Sequence, residues 1–250
     1  MGLANVFTAL ALTVVVSVDA ANGPIRPIDR SMYPYLAMVT LIDDSQITPG
    51  VFISEKYVLT NGDVVQPATE SAILVSAGNG DEVFQVIDVT TEYDKWVSVL
   101  ELNGTYNGPV LSLLSTKNKP FDFRHSQPGD MLFLHENGTL FGQSTDVLNS
   151  NLCPDALRES GEEAAAEDFN TTVQSCNKFD PSDCSFHYNQ AEKLERHAVL
   201  AVDGVVSGFV SNLNCDYGED NTNLYDAPQI FTNIGVYSEW IMENAGMIKK

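Results

Sequence analysis

Short stretches in which apolar residues alternate with polar ones, or run together for a few positions, recur along most of the chain. Residues 35–42, 51–60, 71–77, 83–91, 110–115 and 131–135 form such runs, and turn residues separate them, as at Asn79-Gly80-Asp81. This pattern predicts β-strands, because successive side chains of a strand point to opposite faces. Residues 198–202 and 205–210 flank Asp203-Gly204, a pair suited to the positive backbone angles of a two-residue hairpin turn. Many short strands at this spacing predict a barrel or sandwich rather than a parallel sheet interleaved with helices. Over residues 234–247 the period lengthens. Val236, Trp240 and Met247, with Tyr237 and Ile241, fall on one helical face, which predicts a closing helix docked on the core.

Two stretches depart from the strand pattern. Residues 6–18 are apolar but too short to cross a bilayer, and Val18-Asp19-Ala20 places small residues where a signal peptidase reads them. We read residues 1–20 as a signal peptide and residues 21–250 as a secreted, extracellular domain; a buried N-terminal strand is the alternative. Residues 154–168 hold Asp155, Glu159, Glu162, Glu163, Glu167 and Asp168 against the single base Arg158, which predicts a solvated helix or loop.

Composition narrows the function. Hydrophobic residues make up 44% of the 250, enough for a packed core, so disorder throughout is excluded. Asp and Glu number 34 against 13 Lys and Arg, a formal net charge of −21. That balance argues against nucleic acid and anionic membranes as partners, since both require a positive footprint. Cys153, Cys176, Cys184 and Cys215 are even in number and lack zinc-site spacing, which fits disulfides in an oxidising compartment. Asn103, Asn137 and Asn170 each open an N-glycosylation sequon. His125, His135, His187 and His197 show no metal-ligand spacing, and no phosphate-binding or dinucleotide glycine motif is present, so neither metal nor cofactor is expected.

Three ordered blocks carry a family resemblance. Ile53-Ser54-Glu55-Lys56-Tyr57-Val58-Leu59-Thr60 resembles the strand that delivers the catalytic histidine of chymotrypsin-like (trypsin family) serine proteases. Asp203-Gly204-Val205-Val206-Ser207-Gly208-Phe209-Val210-Ser211 resembles the hairpin after their nucleophile. Pro228-Gln229-Ile230-Phe231-Thr232-Asn233, followed by Tyr237, Trp240 and Ile241, resembles their last strand and C-terminal helix. The resemblance implies an all-β fold of two perpendicular six-stranded barrels with a cleft between them and a C-terminal α-helix. It also implies disulfides Cys153–Cys176 and Cys184–Cys215.

The same resemblance implies that the chemistry is missing. Serine proteolysis needs a serine oxygen, an imidazole to take its proton and a carboxylate to orient the imidazole. Asp63 stands at the histidine position, in Asn61-Gly62-Asp63-Val64, and Gly108 falls where the orienting aspartate would be, in Asn107-Gly108-Pro109-Val110-Leu111. Counting back from Asp203-Gly204 puts Arg196 at the nucleophile position. Leu213 and Gln229 replace glycines that wall the specificity pocket, and Asn212 replaces the tryptophan beside it, which fills the pocket. Pro27 makes the Arg26 bond a poor target for activating cleavage. The expectation is a secreted, non-catalytic protease homologue that binds an extracellular protein such as a protease or protease complex. Two alternatives stand beside it: an active serine-type hydrolase with a displaced site, and a structural or cargo-binding acidic secreted protein.

Overall fold

A computed structural model describes residues 26–43, 46–66, 68–78, 80, 82–92, 94, 96–113, 126–135, 137–178, 198–212 and 228–248. The signal segment over 1–20, Arg196, Leu213, Cys184 and Cys215 lie outside the described residues.

Six antiparallel strands close the first barrel: β2 (Leu36–Leu41), β3 (Gln46–Phe52), β4 (Tyr57–Asn61), β5 (Ile73–Ala77), β6 (Val83–Thr91) and β7 (Val97–Leu102), in the ring order β2-β3-β4-β7-β6-β5. The period of two explains why several of these strands are apolar on both faces. Val58, Phe52 and Leu100 point into the barrel, whereas their neighbours Leu59, Val51 and Val99 join a second cluster outside it. That second cluster also holds Leu132, Val199 and Phe209 of the other barrel. β2, β3, β4 and β7 therefore serve an interior and a seam at once, whereas β5 and β6 contribute only to the interior.

The second barrel comprises β8 (Gln127–Leu134), β9 (Leu140–Val147), β10 (Gln174–Lys178), β11 (Ala198–Val202), β12 (Val205–Asn212) and β13 (Ile230–Asn233). The ladder β9-β10-β13-β12-β11-β8 closes through β8 pairing with β9. A two-residue strand β1 (Arg26–Pro27) lies alongside β9 opposite Gly142 and Phe141. Gly142 lets the chain pass close to Ile28: a Cβ there would fall 2.5 Å from Ile28 Cδ1, so the Ile28 side chain would have to shift. At the β11–β12 turn Asp203 and Gly204 have φ of 52° and 74°, the left-handed conformation expected for that pair.

Some expectations are corrected. Residues 51–60 are two strands, with the chain reversing at Ser54 and Lys56 so that Phe52 pairs with Val58. Residues 110–113 hold no strand. The closing helix is a 3-10 turn, Ile234–Tyr237, followed by Ser238–Asn244. Its buried stripe is Ile234, Tyr237, Ile241 and Met242, while Val236 and Met247 face outward, because the change of helix type rotates the face. The acidic stretch forms α2 (Cys153–Glu159) and α3 (Glu163–Asp168), here numbered after α1 (Gly62–Val65), and buries Leu157 and Ala166 rather than standing wholly in solvent. The helix Ser238–Asn244 is α4.

Candidate functional site: the end of β4 and the turn of α1

β4 leads directly into the single turn of α1, and Asn61 at its end fixes that turn. Its Oδ1 accepts the N–H of Asp63 at 3.0 Å, capping that single turn. Its Nδ2 donates to the carbonyl of Val210 in β12 at 2.9 Å, a buried bond between the barrels. Asp63 is exposed, whereas Val64 and Val65 anchor the turn in the first barrel. Among the described residues the only histidine is His135, in the β8–β9 hairpin, where its Nδ1 accepts the N–H of Asn137 at 3.3 Å. The family motif draws attention to Asp63 and away from Asn61, although an Asn-Gly-Asp triplet after a strand is itself a helix-cap signal.

The structure moves Gly108 away from Asp63. The strand paired with β4 is β7, with Asn61 opposite Val97, and the N–H of Gly62 donates to the carbonyl of Trp96 at 3.3 Å. Trp96, half-buried, is thus the residue leading into the strand beside the turn. Residues 103–113 instead cross the other end of β4, where Tyr106 N–H donates to Glu55 O and Leu111 N–H to Phe52 O, both at 2.7 Å. Aromatic stacking holds them there: the Tyr106 ring lies on Phe52 at 3.7 Å, and its hydroxyl donates to Pro34 O at 3.3 Å. A Cβ on Gly108 would collide with the Tyr106 hydroxyl, so no side chain fits at that position without moving the ring.

Gln229 is fully buried just before β13. Its N–H donates to Asn177 Oδ1 at 2.8 Å, and Asn177 Nδ2 donates to Thr145 Oγ1 at 2.9 Å and touches Met131 Sδ at 3.6 Å. Polar side chains thus occupy the interior of the second barrel beside Gln229. Asn177 and Thr145 carry no signal in the sequence, because polar residues break the alternation in both of their strands. Asn212 is the last residue of β12, paired with Ile230.

The Cys153–Cys176 disulfide joins α2 to β10. Asn103, Asn137 and Asn170 are all exposed. Asn103 accepts the Gln85 N–H at 3.1 Å, Asn137 the Thr139 N–H at 2.9 Å, and Asn170 both the N–H and the hydroxyl of Thr172, at 3.0 and 2.6 Å. Among the described residues no three metal-ligating side chains converge.

Two tyrosines stand at the junction of the barrels. Burial, then the carboxylate of Asp130, pushes the Tyr33 phenol up to about 12. Burial, then Glu92 and Asp94, pushes Tyr237 up to about 12. Tyr35 ties the same junction, its hydroxyl accepting the Val206 N–H and donating to Gly204 O, each at 3.2 Å.

Two closed antiparallel barrels followed by a C-terminal helix define the trypsin-like protease fold. Solved structures of that class are similar to the chain. The VesB protease of Vibrio cholerae matches with a TM-score of 0.65 at 12% identity, over 90% of this chain and 68% of that one. Scabies mite inactivated protease paralogue S-D1 matches with a TM-score of 0.64 at 13% identity, over 90% of this chain and 97% of that one. Paralogue S-I1 matches with a TM-score of 0.61 at 14% identity, over 89% and 99%. No family model matches the sequence, and no curated protein matches it. At these identities the likeness is one of fold.

Proposed function

We propose that the chain is a secreted, non-catalytic homologue of trypsin-like proteases that acts by binding another extracellular protein. Support comes from Asp63, which the sequence resemblance puts at the histidine position and which follows β4 in the turn capped by Asn61. A carboxylate with an ordinary pKa of about 3.9 is a poor base for a serine hydroxyl. The lead into β7 is Trp96, which offers no carboxylate to orient a base. Two similar structures are of proteases described as inactivated, which supports the same reading. The Cys153–Cys176 bridge and three exposed sequon asparagines fit an oxidising, secretory route.

The test uses full-length protein from a secretory host, treated with an active-serine phosphonate probe and a broad peptide library. No labelling and no cleavage are expected. Stoichiometric labelling would overturn the reading.

A further inference from the structure

Six Asn-Gly pairs occur in the chain, at Asn22, Asn61, Asn79, Asn103, Asn107 and Asn137. At such a pair the chain can attack itself. The glycine nitrogen, once deprotonated, adds to the asparagine Cγ, ammonia leaves, and a cyclic succinimide forms. Water then opens the ring at either carbonyl and yields aspartate or isoaspartate. Glycine has no Cβ to hinder the approach, so folding decides which pairs react: the glycine N–H must be unbonded and the amide able to swing onto it. Asn22 and Asn79 lie outside the described residues. Three of the other four pairs are held. Asn61 is 3% exposed, its amide bonds Asp63 N–H and Val210 O, and the Gly62 N–H donates to Trp96 O. Asn137 accepts the Thr139 N–H, and the Gly138 N–H donates to His135 O at 2.8 Å. Asn103 bonds Gln85 twice, its N–H donating to Gln85 O at 2.9 Å and its Oδ1 accepting the Gln85 N–H at 3.1 Å. Asn107-Gly108 differs. Both residues are exposed and lie in no strand or helix, and among the described residues nothing accepts the Gly108 N–H. The Asn107 amide makes a single long bond, Nδ2 donating to Thr105 O at 3.4 Å.

We propose that Asn107 is a deamidation site of the folded protein, converting to aspartate and isoaspartate, while Asn61 in the same dipeptide is protected by the fold. Either product adds a carboxylate, ionised at neutral pH, to an exposed loop. That loop is tied on both sides of the site, by Tyr106 stacked on Phe52 and by the Leu111 N–H donating to Phe52 O. Isoaspartate also adds a methylene to the backbone between these two anchors. The proposal holds whether the chain binds a partner or cleaves one.

The test holds the full-length secreted protein, with any glycans left in place, in mildly alkaline buffer. Samples taken over time are read by peptide mapping with fragmentation, which locates each change from amide to acid, and by isoaspartyl methyltransferase labelling of the mapped peptides. Asn107 should convert steadily and faster as pH rises, because the attacking nitrogen must lose its proton. Asn61 should convert at least about tenfold more slowly, since it reacts only when the end of β4 opens. In guanidinium chloride, where neither pair is held, the two should convert at similar rates, so the difference belongs to the fold. Asn107 staying intact in the folded protein, or Asn61 converting there as fast as Asn107, would overturn the proposal.

Discussion

Asn61 makes two hydrogen bonds of different reach, one to the turn of α1 and one to the opposite barrel. Asn61→Ala removes a helix cap, typically worth ~1 kcal/mol, and leaves the buried Val210 carbonyl without its donor, roughly 1–3 kcal/mol more. A fall of about 2–4 kcal/mol in unfolding free energy is therefore expected in urea titration. Asn61→Asp separates the two effects, since it keeps the capping oxygen and loses only the amide donor. If Asp proves as stable as Asn, the bond between barrels carries nothing. Asp63→His tests the neighbouring position. Asp63 is exposed, so stability should change by no more than about 0.5 kcal/mol. Fluorogenic peptide turnover should stay at background, because Trp96 leads the paired strand and supplies no carboxylate. Gly108→Asp should not help: the new side chain meets the Tyr106 hydroxyl, so the variant loses stability without gaining activity. Turnover in the Asp63→His/Gly108→Asp double variant would show that the two positions do cooperate.

At the scale of elements, alternation decides what the sequence reveals. β6, β11 and the start of β12 are legible because short runs rich in apolar, β-branched residues stand beside clear turn residues, Asn79-Gly80-Asp81 before β6 and Asp203-Gly204 between β11 and β12. β9 and β10 are not. Gln143, Thr145 and Asn177 point polar groups into the second barrel, which erases the apolar pattern at the positions that should show it. β7 escapes notice for a different reason. Asn107-Gly108-Pro109-Val110-Leu111 imitates the family motif, while the pairing partner of β4 is Val97–Leu102, and pairing is a long-range property that local resemblance does not report. The cysteines are more informative, since the bridge Cys153–Cys176 agrees with the pairing implied by the family. That bridge spans 23 residues and holds α2 and α3 against β10, around buried Leu157 and Ala166. Replacing both cysteines by serine should cost roughly 2–4 kcal/mol. The loss should be local, with amides of α2 and α3 losing hydrogen-exchange protection before those of the barrels. Uniform loss across both barrels would show that the bridge supports the whole fold instead.

Across the whole molecule, the seam makes the two barrels one cooperative body. Val51, Leu59 and Val99 pack with Leu132, Val199 and Phe209. The two tyrosines pushed up to about 12 both sit at this seam, and each faces acids of the other barrel. Tyr33, leading into β2, faces Asp130 of β8. Tyr237, just after β13, faces Glu92 and Asp94 beyond β6. Both phenols are neutral when folded and ionise near 10 when unfolded. The folded state therefore binds more protons than the unfolded one between about pH 10 and 12, and stability falls as pH rises through that window. Below about pH 10 both states hold these protons and the contribution is complete. The expected outcome is an alkaline transition in which phenolate absorbance, tryptophan fluorescence and backbone circular dichroism change together, because ionising either tyrosine places a charge against carboxylates in the shared seam. Tyr33→Phe/Tyr237→Phe removes both ionisations and should move that transition to higher pH, leaving stability at neutral pH free of this linkage. An unmoved alkaline midpoint in the double variant would show that other groups open the seam, and separate transitions for the three signals would show that the barrels do not unfold as one.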